Sequence, residues 1–212
     1  MSSPKSLTTD AALMVFGAGG QGRVVADAAL CANRWLRVIA SDRNQAACHG
    51  ELLPGVPLLD DASARLLNPL LHIAIGNNHA RERESALWGH GRLVSVIHPA
   101  ALVSAFSDIA DGCFVAAGAV VGPNARIGMG AIVNHGAVID HDVAVGAFSH
   151  IAPNATLGGG VKVGQRVLIG SGAVVLPSVL IADDVIVGAG AVVHGNLLQA
   201  GTYAGVPARR ID

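Results

Sequence analysis

From Ile97 to Val193 every sixth residue is aliphatic, seventeen positions without a break. Four residues after each of them the chain mostly carries a small or β-branched residue, as at Cys113, Ala119, Ala125, Ala131, Ala137, Val143, Ser149, Ala155 and Val161. A larger and a smaller inward residue at fixed spacing describe a repeating unit with little interior volume. The residue directly after the aliphatic is often Gly, Asn or Asp, for example Gly122, Asn134, Asp140 and Gly158. These types accept turns and left-handed backbone. Each hexad therefore predicts a short strand, a turn and the next short strand.

Before Ile97 the pattern changes. "AALMVFGAGGQGRVVADAAL" reads as an apolar strand, a glycine turn and a helix, and "LRVIASD" as a second strand. "LLHIAIGNN" and "RLVSVIH" supply two more strands, with "HARERESALWGHG" between them as a helix. Four strands in residues 1–96 predict a small α/β domain. Gly17, Gly19 and Gly22 have the GxGxxG spacing, which lets phosphate oxygens approach backbone N–H groups at a helix N-terminus. Asp42, twenty residues past Gly22, falls where an acidic side chain meets a ribose hydroxyl. A dinucleotide needs two such halves around a switch point, and the hexads begin before a second half is built. The domain is half-Rossmann-like and suits a mononucleotide; a glycine turn that only packs helix on strand is the plainer alternative.

Composition narrows the function classes. The 212 residues are 51% hydrophobic, enough for a sizeable core, and 14 Lys+Arg against 15 Asp+Glu leave a net charge of −1. No global basic field gathers nucleic acid. Only 3% of residues are aromatic while 27 are glycine, as suits a turn-rich repetitive backbone. Cys31, Cys48 and Cys113 have no CxxC spacing and no ligand cluster nearby in sequence, which argues against a disulfide framework and a zinc site and for a reducing, cytoplasmic setting. "MSSPKSLTTD" precedes an apolar run too short for a signal peptide or a membrane span.

The six-residue period resembles that of the hexapeptide-repeat proteins, whose left-handed parallel β-helix is triangular in section with three hexads per coil. That resemblance implies between five and six coils of 18 residues within 97–212, stacked about 4.8 Å apart. Residues 18 apart would then lie one above the other, with a tail after the last hexad. A passive solenoid or structural spacer satisfies the same period. The segments "GAGGQGRVVAD", "AIGNNHAR", "VIHPAA", "IDHD" and "GVPARRI" go further. Together they resemble the sugar acyltransferases that finish nucleotide-linked amino sugars: the bacillosamine-pathway and perosamine N-acetyltransferases, with sialic acid O-acetyltransferases as relatives.

The resemblance implies an acetyl-CoA-dependent enzyme without a metal, acting as a homotrimer with sites between subunits. The expected acceptor is the C4 amino group of a nucleotide-linked 4-amino-4,6-dideoxy sugar; UDP and GDP both fit, and a hydroxyl of sialic acid is the alternative. By the family's roles His141 is the general base and Asp142 its orienting acid, chemistry that a near-neutral imidazole and a carboxylate suit. Asp140 occupies the turn position and is the weaker partner. Gly159, 18 past His141, offers a backbone N–H to the thioester oxygen. His150 is placed on the acetyl-CoA side of the site, reached from a neighbouring chain's His141. Ser171, Ala189 and Arg209 are expected along acetyl-CoA, with Arg210 as readily a solvated tail. Gly17, Gly19, Gly20, Gly22, Asp42 and Asn77 are expected around the nucleotide sugar. Cys113, at an inward small-residue place, is a poor nucleophile. His135 suits either a supporting or a bland role, and His98 a structural one.

Overall fold

The computed structural model describes residues 11–212, so the N-terminal stretch read above as lacking a signal peptide lies outside the described residues. No helix among the described residues is long and apolar enough to cross a membrane. The elements before the repeat are β1 (Ala12–Phe16), α1 (Gly20–Ala32), β2 (Arg37–Ser41), β3 (Glu51–Leu53), β4 (Val56–Pro57), α2 (Asp61–Leu66), β5 (Leu70–Ile73) and α3 (Asn78–Trp88). β1 lies between β2 and β5, parallel to both. Its five residues are all buried, as a central parallel strand covered on both faces requires. Helix α1 buries Gly22, Val25, Ala26, Ala28 and Ala29, and stops where Asn33 turns left-handed (φ 48°).

The expected fourth strand is not one. Leu93 makes a single bridge to Leu71, the Val94 N–H donates to the Leu71 carbonyl, and the chain then leaves the sheet. Val96–Ile97 pairs instead with Phe114–Val115 as the first rung of the solenoid. The antiparallel hairpin of β3 and β4 and the short helix α2 have no periodic signature and escape the sequence reading.

The solenoid is a left-handed parallel β-helix of about six turns. Its rungs pair in parallel at a spacing of 18, as in Val120–Val138–Thr156 and Ile132–His150–Leu168. The hexad aliphatics from Val115 to Val193 are at most 5% exposed, and Cys113, Ala119, Ala125, Ala131 and Ala137 are fully buried beside them. The left-handed residue is not the one after the aliphatic. It comes two positions later, at Asn124, Asp142, Phe148, Asn154 and Arg166 (φ 56–60°). The glycines after the aliphatics answer a different need: a Cβ on Gly122 would lie 2.9 Å from the backbone of Asp140 and His141 in the next coil. Close stacking, not turn conformation, selects glycine there.

Three faces and three corners follow. The first face carries Phe114, Ile132, His150, Leu168 and Ile186 outward; the second Leu102, Val120, Val138, Thr156, Val174 and Val192; the third Asp108, Arg126, Ala144, Lys162 and Leu180. The α/β domain sits on the first face, where Val25, Ala26 and Ala29 share a core with Val96, Phe114 and Ile132. Helix α3 grips the corner between the third and first faces. The Arg81 guanidinium donates to the carbonyls of Gly130 (2.7 Å), Phe148 (2.7 Å) and Ile75 (2.8 Å), and Asn78 Nδ2 to that of Arg166 (2.9 Å). Arg166 in turn pairs with Asp184 (2.8 Å) and Glu82 (3.3 Å). At the far end Gly201–Ala204 adds a parallel strand and Arg209–Arg210 folds back antiparallel.

Candidate active site

His141 projects from the corner between the second and third faces, flanked by Asp140 and Asp142. The Asp140 Oδ1 accepts the His141 backbone N–H (2.7 Å), which keeps that carboxylate at the turn. Asp142 is left-handed (φ 59°), and this bend swings its Oδ2 to 2.8 Å from His141 Nδ1. The carboxylate accepts the Nδ1 proton, so the neutral ring keeps its lone pair on Nε2. The bond to Asp142, then the charge of Asp140, raises the His141 pKa above its ordinary value, while the same bond and one from Asn124 lower that of Asp142. Asn124 Nδ2 donates to Asp142 Oδ1 (3.1 Å), so both carboxylate oxygens are held. Asn124 lies one coil below Asp142, and the 18-residue column was the signal that could have found it.

Gly159 lies one coil above, against the ring. A Cβ there would be 2.6 Å from His141 Nε2 and Cε1, and the Gly160 N–H donates to the His141 carbonyl (3.0 Å). The basic nitrogen and the Gly159 backbone thus share one patch of surface. Ser171 and Ala189 also stack in register, the Gly190 N–H donating to the Ser171 carbonyl (2.9 Å), but on the corner between the first and second faces. Arg209 approaches the corner of His141 through His194 Nε2 (3.3 Å). Its rung, Val192–Val193, is three above Val138–Ile139, about 14 Å at about 4.8 Å per rung. Arg210 pairs with Asp212.

His150 lies on the first face, opposite the His141 corner, and no single chain brings the two together. It lines a cavity of about 320 Å³ between the α/β domain and the solenoid, with Asn77, Asn78, His79 and Arg166. Burial, then the Arg81 charge, pushes its pKa down to about 4, so it is neutral at pH 7. Asn134 Nδ2 lies 3.0 Å from its Nε2. Cys113 is fully buried, and burial pushes its thiol up to about 12, far from a thiolate nucleophile.

A second cavity, about 390 Å³, opens at the glycine turn and is lined by Gly17, Gly19, Gly20 and Asp42. A Cβ on Gly19 or Gly20 would meet nothing within 4 Å, so the turn is open to a ligand. Gly22 is different: it is buried, and a Cβ there would collide with the Gly17 carbonyl. It packs helix on strand instead of facing the cavity. Asp42 spends both oxygens on the local backbone, accepting from Ala18 (2.7 Å) and Asn44 (2.9 Å) N–H groups. Asn77 caps α3 by accepting the Ala80 N–H (2.9 Å) and lines the cavity of His150.

The fold does assemble one cluster that sequence spacing hid. Ligand atoms of Asp27 and Cys31 on α1 and of His98 come within 4.8 Å of one another. His98 Nδ1, however, accepts the Ala100 N–H (2.9 Å), which puts the proton of the neutral ring on Nε2 and leaves no lone pair for a cation. All three cysteines are free thiols.

Known proteins share this architecture. Residues 12–85 match the PglD N-terminal domain, and residues 160–195 the bacterial transferase hexapeptide family of six repeats. A histidine-to-alanine mutant of GDP-perosamine N-acetyltransferase from Caulobacter crescentus, solved with CoA and GDP-perosamine, is 35% identical over 95% of this chain and 97% of that one, with a TM-score of 0.87. The acetyltransferase domain of PglB from Neisseria gonorrhoeae, in complex with acetyl coenzyme A, is 32% identical over 95% and 100%, with a TM-score of 0.88. WeeI from Acinetobacter baumannii shares the fold at 23% identity, a TM-score of 0.72 and coverage of 94% and 99%. No curated protein sequence matches the chain.

Proposed function

The chain belongs to the hexapeptide-repeat sugar acetyltransferases with a PglD-type N-terminal domain, and on that premise we propose that it acetylates the C4 amino group of a nucleotide-linked 4-amino-4,6-dideoxy sugar. It is an acetyl-CoA-dependent sugar N-acyltransferase. The observation that carries the finer reading is the His141 Nδ1–Asp142 bond of 2.8 Å at an open corner, with Gly159 against the opposite ring nitrogen.

The chemistry follows from those positions. The sugar amine attacks the thioester carbonyl, and His141 Nε2 takes the proton from nitrogen as the C–N bond forms. Asp142, itself steadied by Asn124, holds the ring and stabilises the imidazolium. The Gly159 N–H makes no ladder hydrogen bond among the described residues and donates to the developing oxyanion. The C–S bond then breaks, and the imidazolium returns its proton to the departing thiolate. No covalent enzyme intermediate is required, which agrees with the inert Cys113.

The site we propose needs two chains of a homotrimer. Within one chain His141 and Gly159 lie on one corner, while Ser171, Ala189 and the His150 cavity lie on or beside another. The second face between these corners is aliphatic save for Thr156, and Leu102 on it is 69% exposed. Packing second faces around a threefold axis sets the His141 corner of one subunit against the Ser171–Ala189 corner of the next. Acetyl-CoA then runs up that seam toward Arg209, and the neighbouring subunit's glycine-turn cavity holds the nucleotide. The deciding experiment follows thiol release from acetyl-CoA against GDP- and UDP-linked 4-amino-4,6-dideoxy sugars, for wild type and His141→Asn. Turnover of one sugar that collapses by orders of magnitude in the variant supports the reading. Turnover confined to sialic acid hydroxyls, or equal rates in the two proteins, overturns it.

A further inference from the structure

The glycine-turn cavity is walled on one side by the N-terminus of α1 and on the other by α3, and its charges are unequally committed. Arg43 pairs with Glu84, and Asp42 is engaged with backbone N–H groups. Arg83, one turn past Ala80 on the same wall, has no carboxylate partner among the described residues. Across the cavity α1 has no acidic residue in its first turn and no side-chain cap at Gly19, so its free N–H groups carry the partial positive charge of the helix end uncompensated. Gln21 lines the same space, and its Nε2 is buried without a hydrogen-bond acceptor, a donor that a ligand oxygen in the cavity would match.

A helix N-terminus, an unmatched amide donor and an uncommitted guanidinium thus face one cavity of about 390 Å³. Donors on two separate walls of the cavity suit a ligand with two linked anionic groups, which a diphosphate offers and a single phosphate, a carboxylate or a neutral sugar does not. We infer that Arg83 is the diphosphate anchor of this site: one phosphate lies on the α1 N-terminus and the other is gripped by Arg83 from α3. The inference rests on the nucleotide-linked reading above and adds a specificity residue to it. Arg83 makes the enzyme select nucleoside diphosphate sugars over sugar monophosphates and free amino sugars, whatever the base.

The test is calorimetric binding of GDP, UDP, GMP and UMP to the full-length protein, comparing wild type with Arg83→Ala and Arg83→Lys. Wild type should bind one diphosphate about tenfold more tightly than the matching monophosphate, the size expected of one solvent-exposed charge-assisted contact. Arg83→Ala should abolish that preference while leaving monophosphate affinity and the acetyl-CoA KM unchanged, and Arg83→Lys should restore part of it. Diphosphate preference that survives in Arg83→Ala overturns the anchor while sparing the nucleotide reading. Failure of wild type to bind any of the four nucleotides overturns both. Equal loss of monophosphate and diphosphate binding also overturns the anchor, because it marks a damaged cavity instead of a missing phosphate contact.

Discussion

Gly159→Ala tests the geometry of the proposed base more sharply than removal of the base itself. The new Cβ would lie 2.6 Å from Nε2 and Cε1 of His141, where ordinary contact begins at 3.4 Å, so ring or backbone must retreat by about 0.8 Å. The ring is the softer party, since His141 is 58% exposed and the backbone of Gly159 is tied into the stack through the Ser178 N–H (2.9 Å). A retreat of that size moves Nε2 out of the space it shares with the Gly159 backbone and misaligns the Nδ1 bond to Asp142, 2.8 Å in the native chain. Gly159 does not have the positive φ that alanine resists, and alanine keeps the N–H proposed for the oxyanion. The fold should therefore survive, with a Tm shift below about 4 °C, while kcat falls about 10²- to 10⁴-fold, the range of a lost general base. Thiol-release kinetics beside a thermal melt read both. Unchanged kcat with a stable fold would refute the argument that Nε2 and Gly159 share the reacting space.

Three further outcomes follow from the same coordinates. Asp142→Asn removes the first cause of the raised His141 pKa, so the acidic limb of the kcat/KM profile, which marks protonation of the base, should move to lower pH as the maximum rate drops; an unmoved limb counts against His141 as the titrating group. Val138→Glu places a charge at the centre of the half-buried aliphatic second face, and light scattering should show monomers with native circular dichroism and no turnover; a trimer of normal activity would discard that face as the interface. Burial holds His72 and His150 at pKa values of about 4, below the ordinary 6.5. The unfolded chain therefore binds more protons below pH 6.5, and stability should fall as the pH drops from 6.5 toward 4, by roughly 3 kcal/mol for the fully buried His72. Denaturant midpoints at pH 7 and 4.5 that coincide would contradict this.

The repeat was legible because a period of six leaves one large inward residue per side of the triangle, and seventeen of them cannot hide. The same period, once set at three hexads per coil, put Gly159 over His141 without coordinates. What the repeat could not show was the reason for each glycine. The sequence marks Gly122 and Gly158 as flexible, whereas only stacking reveals that their missing Cβ atoms make room for the next coil. The α/β domain was harder because its contacts are not periodic. Helix α3 buries Asn78, Arg81, Glu84 and Ser85, a polar face that reads as solvated until the carbonyls of Gly130 and Phe148 come to meet Arg81. Segment "RLVSVIH" misled for the opposite reason: it has strand composition, but its residues divide between one bridge to β5 and the first rung of the solenoid.

His141 and His150 end in opposed environments, and that opposition bears on the two-chain site proposed above. His141 is exposed, bonded to one carboxylate and near another, and its pKa rises; His150 is covered by the α/β domain beside the Arg81 charge, and its pKa falls to about 4. A base with a raised pKa is stronger but keeps its proton to higher pH, and in open water its bond to Asp142 is weakened by competing solvent. In the proposed trimer, covering the corner with a neighbouring subunit would act on both defects at once. Loss of water would disfavour the imidazolium and lower the pKa, while the lower dielectric would strengthen the Nδ1–Asp142 bond that fixes the tautomer. That neighbour would bring a cavity wall whose own histidine is neutral at pH 7 and adds no positive charge against the imidazolium that forms. Assembly as proposed would then tune the base as well as complete the groove, with the aliphatic second face as the part of the sequence that provides for it.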